Sequence, residues 1–409
     1  MSKGLEKLKH IVVIMMENRS FDHMLGGLKK LDTRINGLSG NESNLDTTNE
    51  PARVQPKAEF QGQLDPDPDH HFAAVNKQLY FGTNGPPDVP AMQGFVKSYY
   101  DQKADVDHSR KIMNYFKPDD LPVLTALARS FAVFNGWFSS IPGPTICNRA
   151  FAHYGTSFGS VGMDPFEVKA PYRSIYDRML AAGKTAKLYY FDIASSTMEV
   201  VNLLSNQPQI FGTYQQLLND CDSGNLPDYC FVEPNYKDHP GPGGGSLPAS
   251  DQHPDHDVQS GEIFIASIYN KIIANDQLRN NTAILIVYDE HGGIFDHVPP
   301  PACVPDDPFV ASADSTGTGQ PFKFDRLGVR VPAILISPWI TKGTVVKGPE
   351  DPANGKVFEH ASIPATVTKY FIGNYDQRSP REKAARMFLD DLLGDVERSP
   401  EDCPFFQFD

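Results

Sequence analysis

Nowhere in the 409 residues is there a run of about 20 apolar residues, the length a helix needs to cross a bilayer. No transmembrane segment is expected. The start of the chain lacks the apolar stretch and small-residue cleavage site of a signal peptide. The expectation is a cytoplasmic protein, or a secreted one whose leader has been removed. Cysteine is sparse and scattered (Cys147, Cys221, Cys230, Cys303, Cys403), with no CxxC pair. That excludes a disulfide scaffold and a thiolate zinc site, although Cys221 and Cys230 could still pair across a short loop. Positive charge is in deficit, with 37 Lys and Arg against 51 Asp and Glu and a formal net charge of -14. Nucleic acid is not an expected partner, and lasting electrostatic docking on anionic membranes is disfavoured. Any anionic substrate must be met locally, by a metal ion, histidines or helix N-termini.

What is present is an alternation of apolar strands and amphipathic helices, the pattern of an α/β sheet covered on both faces. His10–Met16 (HIVVIMM) reads as a buried central strand, and 186–191, 229–232, 283–288 and 331–336 as further strands. Helical periodicity marks 120–130, 261–274 and 362–372. Long Pro-, Gly- and Asp-rich stretches at 34–70, 236–258 and 299–325 are expected as loop insertions. Without a repeat or clean linker, the expectation is a single domain over 1–409, with a core at about 9–375 and a tail at 376–409.

Two acidic strings each follow an apolar strand: Glu17-Asn18-Arg19-Ser20-Phe21-Asp22-His23, and Asp289-Glu290-His291-Gly292-Gly293 followed by Phe295-Asp296-His297. Ligands of open α/β sheets bind outside the carboxyl ends of strands. Carboxylate and amide oxygens placed there are hard ligands for a divalent cation. Adjacent acids such as Asp289 and Glu290 repel unless a cation lies between them or one is protonated. Each string alone also reads as a helix cap or turn with solvated acids. Pro142-Gly143-Pro144-Thr145 opens a helical stretch, so Thr145 stands at a helix N-terminus, where free N–H groups favour phosphate. Near a metal its hydroxyl becomes a usable nucleophile; otherwise it is a routine cap. Arg149, one turn on, can neutralise phosphate oxygens or lock an acidic neighbour.

Histidine is concentrated in polar loops: His70 and His71 in DPDPDHHF, His253 and His256 in SDQHPDHDV, and His360 before the last helix. Imidazole suits phosphate binding and general acid catalysis near neutrality. The His253/His256 spacing also fits two zinc ligands, and any single histidine here can be a plain surface residue. His153 is expected to be packed.

With these segments in view, the chain resembles the bacterial and plant phosphoesterases that include non-specific phospholipases C and an acid phosphatase branch. The matching strings are ENRSFDHMLG (17–26), MQGFV (92–96), WFSSIPGPTICNR (137–149), HPDHDVQSGE (253–262), YDEHGGIFDHVPPP (288–301) and ISPW (336–339). They run in the family's order from about residue 9 to about residue 370. The resemblance implies a fold related to alkaline phosphatase and the sulfatases. It also implies one divalent metal ion (calcium, magnesium or zinc) held by Glu17, Asn18, Asp289 and Glu290, with the Thr145 hydroxyl as nucleophile touching it. Histidines matching His70, His253 and His291 would surround the phosphate. The chain departs from the pattern at Thr-Ile-Cys-Asn-Arg, where many relatives have Pro before Asn, and His253 and His256 compete for one position.

The expected site therefore has Thr145, His253, His256 and His291 as catalytic groups. Asn18, His70, His71, Arg149 and His360 would bind substrate phosphate. Phospholipid head-group esters are the expected substrate, with Phe72, Phe81, Trp137 and Trp339 as candidate walls of a lipid channel unless they fill the core. Soluble phosphomonoesters are the alternative. A non-catalytic phosphate- or metal-binding relative and a mononuclear zinc hydrolase using His253 and His256 stand apart from both.

Overall fold

A computed structural model describes residues 2–81, 90–164, 166–192, 197, 200, 207–241, 245–348 and 357–408. His10–Met16 (β1) forms the middle of an eight-stranded sheet because its β-branched and Met side chains are buried from Ile11 to Met16. The other strands are β2 (Ala132–Phe134), β3 (Ala186–Tyr190), β4 (Phe211–Thr213), β5 (Tyr229–Val232), β6 (Thr282–Tyr288), β7 (Ala333–Ile336) and β8 (Thr344–Val346). Their spatial order is β8-β2-β7-β6-β1-β5-β3-β4. Pairing is parallel from β6 through β1, β5 and β3 to β4, while β7 runs antiparallel to both β6 and β2. All seven residues of β6 are buried, so both faces of the sheet are covered. Fully burying one such aliphatic side chain contributes about 1.5–3 kcal/mol, which makes these central strands the base of the fold.

Helices Pro122–Ser130, Tyr214–Ser223 and Val258–Ala274 pack on one another as one layer, and Thr145–Tyr154, Ile175–Ala181 and Ser362–Val367 as another. Residues beyond 375 return to the same core, where Phe388, Leu389 and Leu393 are buried. Several boundaries differ from the sequence reading. The strand expected at 331–336 is split at Pro332, with Val331 pairing instead with Trp137 in a small second sheet. The helix expected to 372 is α-helical only to Val367 and then widens into a π-turn. The long loops carry short hairpins of their own, at 43–53 and 239–247. All five cysteines are free, so Cys221 and Cys230 do not pair. Trp137, Trp339 and Phe72 follow the core reading, each being under a tenth exposed; Phe81 lies at the surface beneath Lys97. Among the described residues no helix is long and apolar enough to cross a membrane.

Candidate active site at the carboxyl edge of the sheet

Register brings the two acidic strings together. β1 and β6 are parallel and aligned from His10 opposite Thr282 to Met16 opposite Tyr288. The next residues, Glu17 and Asp289, therefore leave neighbouring strands at the same level. The Asp289 N–H still reaches the Met16 carbonyl at 3.1 Å, continuing the ladder by one residue. Asn18 then turns with φ +54, outside the usual range for a non-glycine residue. Gly292, at φ +63, lies against it so closely that a Cβ there would stand 2.1 Å from the Asn18 carbonyl oxygen. The Asn18 N–H donates to Asp289 Oδ1 at 3.2 Å.

Thr145 enters this cluster from helix Thr145–Tyr154. Pro144 is the N-cap and Thr145 the first helical residue, so its hydroxyl and the first-turn N–H groups share one end of the helix. Thr145 Oγ1 donates to Asn18 Oδ1 at 3.3 Å. One turn later Arg149 is fully buried and spends its guanidinium on acids: Nε to Asp289 (3.2 Å), and its terminal nitrogens to Glu17 (3.2 Å) and Glu233 (3.3 Å). Of the two partners expected for Arg149, phosphate oxygens or an acidic neighbour, the geometry shows the acidic neighbours.

Charge is out of balance here. Glu17, Glu233 and Asp289 are buried around a single guanidinium. Glu290 is buried beside His70 and His291, and its Oε1 has no hydrogen-bond partner among the described residues. Burial pushes Glu17 up to about 8, opposed by Arg149 and reinforced by Asp289. Burial likewise raises Asp289, again against Arg149. Glu290 is held low despite its burial by His70 and His291. Buried carboxylates in excess of their cations are costly unless a further positive charge joins them, so the donor set fits a divalent ion.

The histidines divide into two groups. His70 donates Nδ1–H to the Pro68 carbonyl at 2.8 Å and turns Nε2 toward Asn18 Nδ2 (3.5 Å) and Glu290 Oε1 (3.8 Å). His253 has its ring 6.3 Å from that of His70, with Nδ1 donating to Asp255 at 2.5 Å and Nε2 3.7 Å from Asp67. Burial works against its charge, but Asp255, Asp67 and Glu17 outweigh that and raise it to about 10. His291 lies 3.3 Å from Glu290 and donates Nε2–H to Gln78 at 2.9 Å. Asp67, His70 and His253 also form a group whose ligand atoms are close enough to hold a metal.

The other histidines expected at the phosphate are placed elsewhere. His360 is fully buried, donates Nε2–H to the Asp289 carbonyl at 2.5 Å and accepts the Trp137 indole N–H at 3.4 Å. Burial lowers it to about 4, and both of its ring nitrogens are engaged in these two bonds. His71 points to solvent, its side chain 65% exposed and paired with Asp69. His256 is tied to Asp251 at 2.8 Å, with its ring 5.7 Å from His253. His153 is packed against Phe231, as expected.

Some residues of the site escaped the sequence reading. Glu233 directly follows strand β5, whose Ile14↔Val232 register places it beside the β1 acids. The rule that singled out Glu17 and Asp289 applies to it equally. Asp67 lay within a quoted loop but only as neighbour to histidines. Half of each acidic string turned out to be architecture: Asp22, Asp296 and His297 close on buried Arg330, at 2.9 Å to Asp22 and 3.2 Å to Asp296, and pin the two strings together.

Oxygen donors gathered at the carboxyl edge of a largely parallel α/β sheet, facing a hydroxyl at a helix N-terminus, suit a hydrolase of phosphoric esters, the class to which the relatives of this chain belong. The chain belongs to the phosphoesterase family, which it matches over residues 8–372. It is 37% identical over 408 residues to non-specific phospholipase C6 of Arabidopsis thaliana, covering 97% of this chain and 74% of that one. It is 40% identical over 372 residues to non-specific phospholipase C1 of the same plant, covering 89% and 67%. Among solved structures, a protein in the alkaline phosphatase superfamily from Vibrio parahaemolyticus aligns at a TM-score of 0.39 and 11% identity, over 66% of this chain and 64% of that one. At that score the likeness carries no functional weight.

Proposed function

We propose that this chain acts as a phospholipase C on phospholipid head-group esters, by double displacement through Thr145. The observation that carries the reading is the Thr145 hydroxyl at a helix N-terminus, bonded to Asn18 Oδ1 inside a cluster of buried acids. Glu17, Asn18, Thr145, Asp289 and Glu290 would hold one divalent cation. Oxygen ligands favour calcium or magnesium, and the neighbouring histidines leave room for zinc. When bound, such an ion supplies Lewis-acid polarisation and lowers the pKa of a ligated hydroxyl.

The chain's own groups do the rest. Asn18 orients Thr145 Oγ1 for in-line attack on phosphorus, and the first-turn N–H groups of the helix receive the phosphoryl oxygens. The hydroxyl proton passes to solvent as the bond forms and returns to Oγ1 when that bond is later broken. His253, charged and held by Asp255, donates its proton to the departing alcohol. The resulting phosphothreonine is opened by water, with the now neutral His253 as base. His70 and His291 flank Glu290. Against its burial, Glu290 and Asp67 favour the charged form of His70, which extends the positive wall, while burial favours the neutral ring of His291. A soluble phosphomonoesterase is the second reading, favoured by the closeness of His70 and His253, which suits a terminal dianionic phosphate. Release of phosphocholine from phosphatidylcholine against release of inorganic phosphate from a soluble monoester separates the two.

Thr145→Ala should lower turnover by about a thousandfold or more without unfolding the protein. Wild-type protein acid-quenched during turnover of phosphatidylcholine should carry phosphocholine on Thr145 in its mass spectrum, and phosphate there if a soluble monoester is the substrate. Full activity in the alanine variant would overturn the nucleophile.

A further inference from the structure

The edge that carries the acidic cluster continues past β5 to β3 and β4, and there it holds a feature the hydrolytic machinery leaves unused. A cleft of about 240 Å³ is lined by Phe191, Tyr214 and Asn235, which stand just beyond β3, β4 and β5, and by Leu247, Ile263 and Phe264. Its aromatic wall is continuous, with ring centroids 5.6 Å apart for Phe191 and Tyr214 and 5.4 Å for Tyr214 and Phe264.

The polar side chains on its lining are already paired. The Tyr214 hydroxyl bonds Ser267 at 2.8 Å, Asn235 Nδ2 donates to the Pro248 carbonyl at 2.7 Å, and Ser250 bonds Asn235. Ser260 donates to Asp257 at 3.0 Å. A wall whose hydrogen bonds are spent discriminates against a sugar or a charged group and favours hydrocarbon. Leu247 and Ile263, 39% and 48% exposed, carry the apolar surface out to the rim.

Two chain segments that wall the cleft also reach the site. Asp251, next to lining residue Ser250, accepts the Glu17 N–H on its carbonyl at 2.9 Å. Asn235 lies two residues beyond Glu233, which holds Arg149. We propose that this cleft receives an acyl chain of the phospholipid whose head-group ester lies at Thr145. The proposal rests on the phospholipase reading and specifies the part of the substrate that reading leaves open.

Ile263→Asp and Leu247→Asp test it from two separate segments, a helix and a hairpin. Both residues are exposed, so the melting temperature should hold in each variant. On dioleoyl phosphatidylcholine vesicles kcat/KM should fall about tenfold or more, while turnover of soluble p-nitrophenyl phosphocholine stays within about twofold. An equal loss on both substrates, or none on either, overturns the acyl-chain site. So does a change of oligomeric state with lipid turnover intact, which would give the cleft to a second copy of the chain. Wild-type protein that cleaves the soluble diester and ignores vesicles sinks the cleft and leaves the hydrolase standing. Wild-type protein inert toward both, with calcium, magnesium and zinc each supplied, sinks the hydrolase reading and the cleft with it.

Discussion

At the scale of single residues, the site turns on how Arg149 is spent. Its guanidinium joins Glu17, Glu233 and Asp289, acids from three different strand ends, on one plane of donors. Replacing it by Met would leave those acids buried together without their cation. Arg149→Met should lose about 3–5 kcal/mol of unfolding free energy by urea titration. Arg149→Lys should recover little of that, because a point charge cannot bridge three carboxylates. Wild-type stability in the Met variant would show that the ion pairs are not what holds the strand ends together. The sequence admitted both phosphate and carboxylate as partners for this arginine. Nothing local could choose, since its three acids lie 132, 84 and 140 residues away in the chain. The partners of His360 were hidden for the same reason: Trp137 and the Asp289 carbonyl are its neighbours only in space.

At the scale of elements, local signals performed better. The strand ends at Met16 and Tyr288 were legible because apolar runs stop abruptly at an acid, and the helix start at Thr145 because a Pro-Gly-Pro segment cannot continue a helix backwards. Helix Val258–Ala274 begins three residues before its periodic stripe, where Asp257 caps it by accepting the Gln259 N–H at 3.0 Å. On that helix Glu262 is buried and caps a different one, accepting the Val123 and Leu124 N–H groups at 2.6 and 3.0 Å. Burial pushes Glu262 up to about 7, with the two N–H groups pulling against it. The folded protein thus binds this proton more tightly than the unfolded chain, where a glutamate releases it near 4.5. The stability this group contributes is complete below about 4.5 and declines as pH climbs through 7. Melting temperatures recorded from acid to neutral pH should show that decline in the wild type and a flatter profile in Glu262→Gln. Parallel profiles would place the titration elsewhere.

At the scale of the whole molecule, the excess of buried acid would tie folding to ion binding under the proposed function. Chelation of divalent ions should abolish hydrolysis and lower the melting temperature, and re-addition should restore both. An ion at a hundred times its dissociation constant adds about 2.7 kcal/mol to a folded state that alone binds it. A melting temperature indifferent to chelator, with metal analysis finding no ion on the purified protein, would remove the cation from the site. From the chain alone one could read the α/β class, the acidic tips after two strands and the threonine at a helix start, because periodicity and punctuation are properties of neighbouring residues. Which acids meet, which histidines face them and which aromatics line a cleft rather than a core were settled only by tertiary structure. Strand register and helix docking arise from contacts between residues far apart in sequence, and a parallel sheet places its functional edge through crossovers that no local pattern encodes.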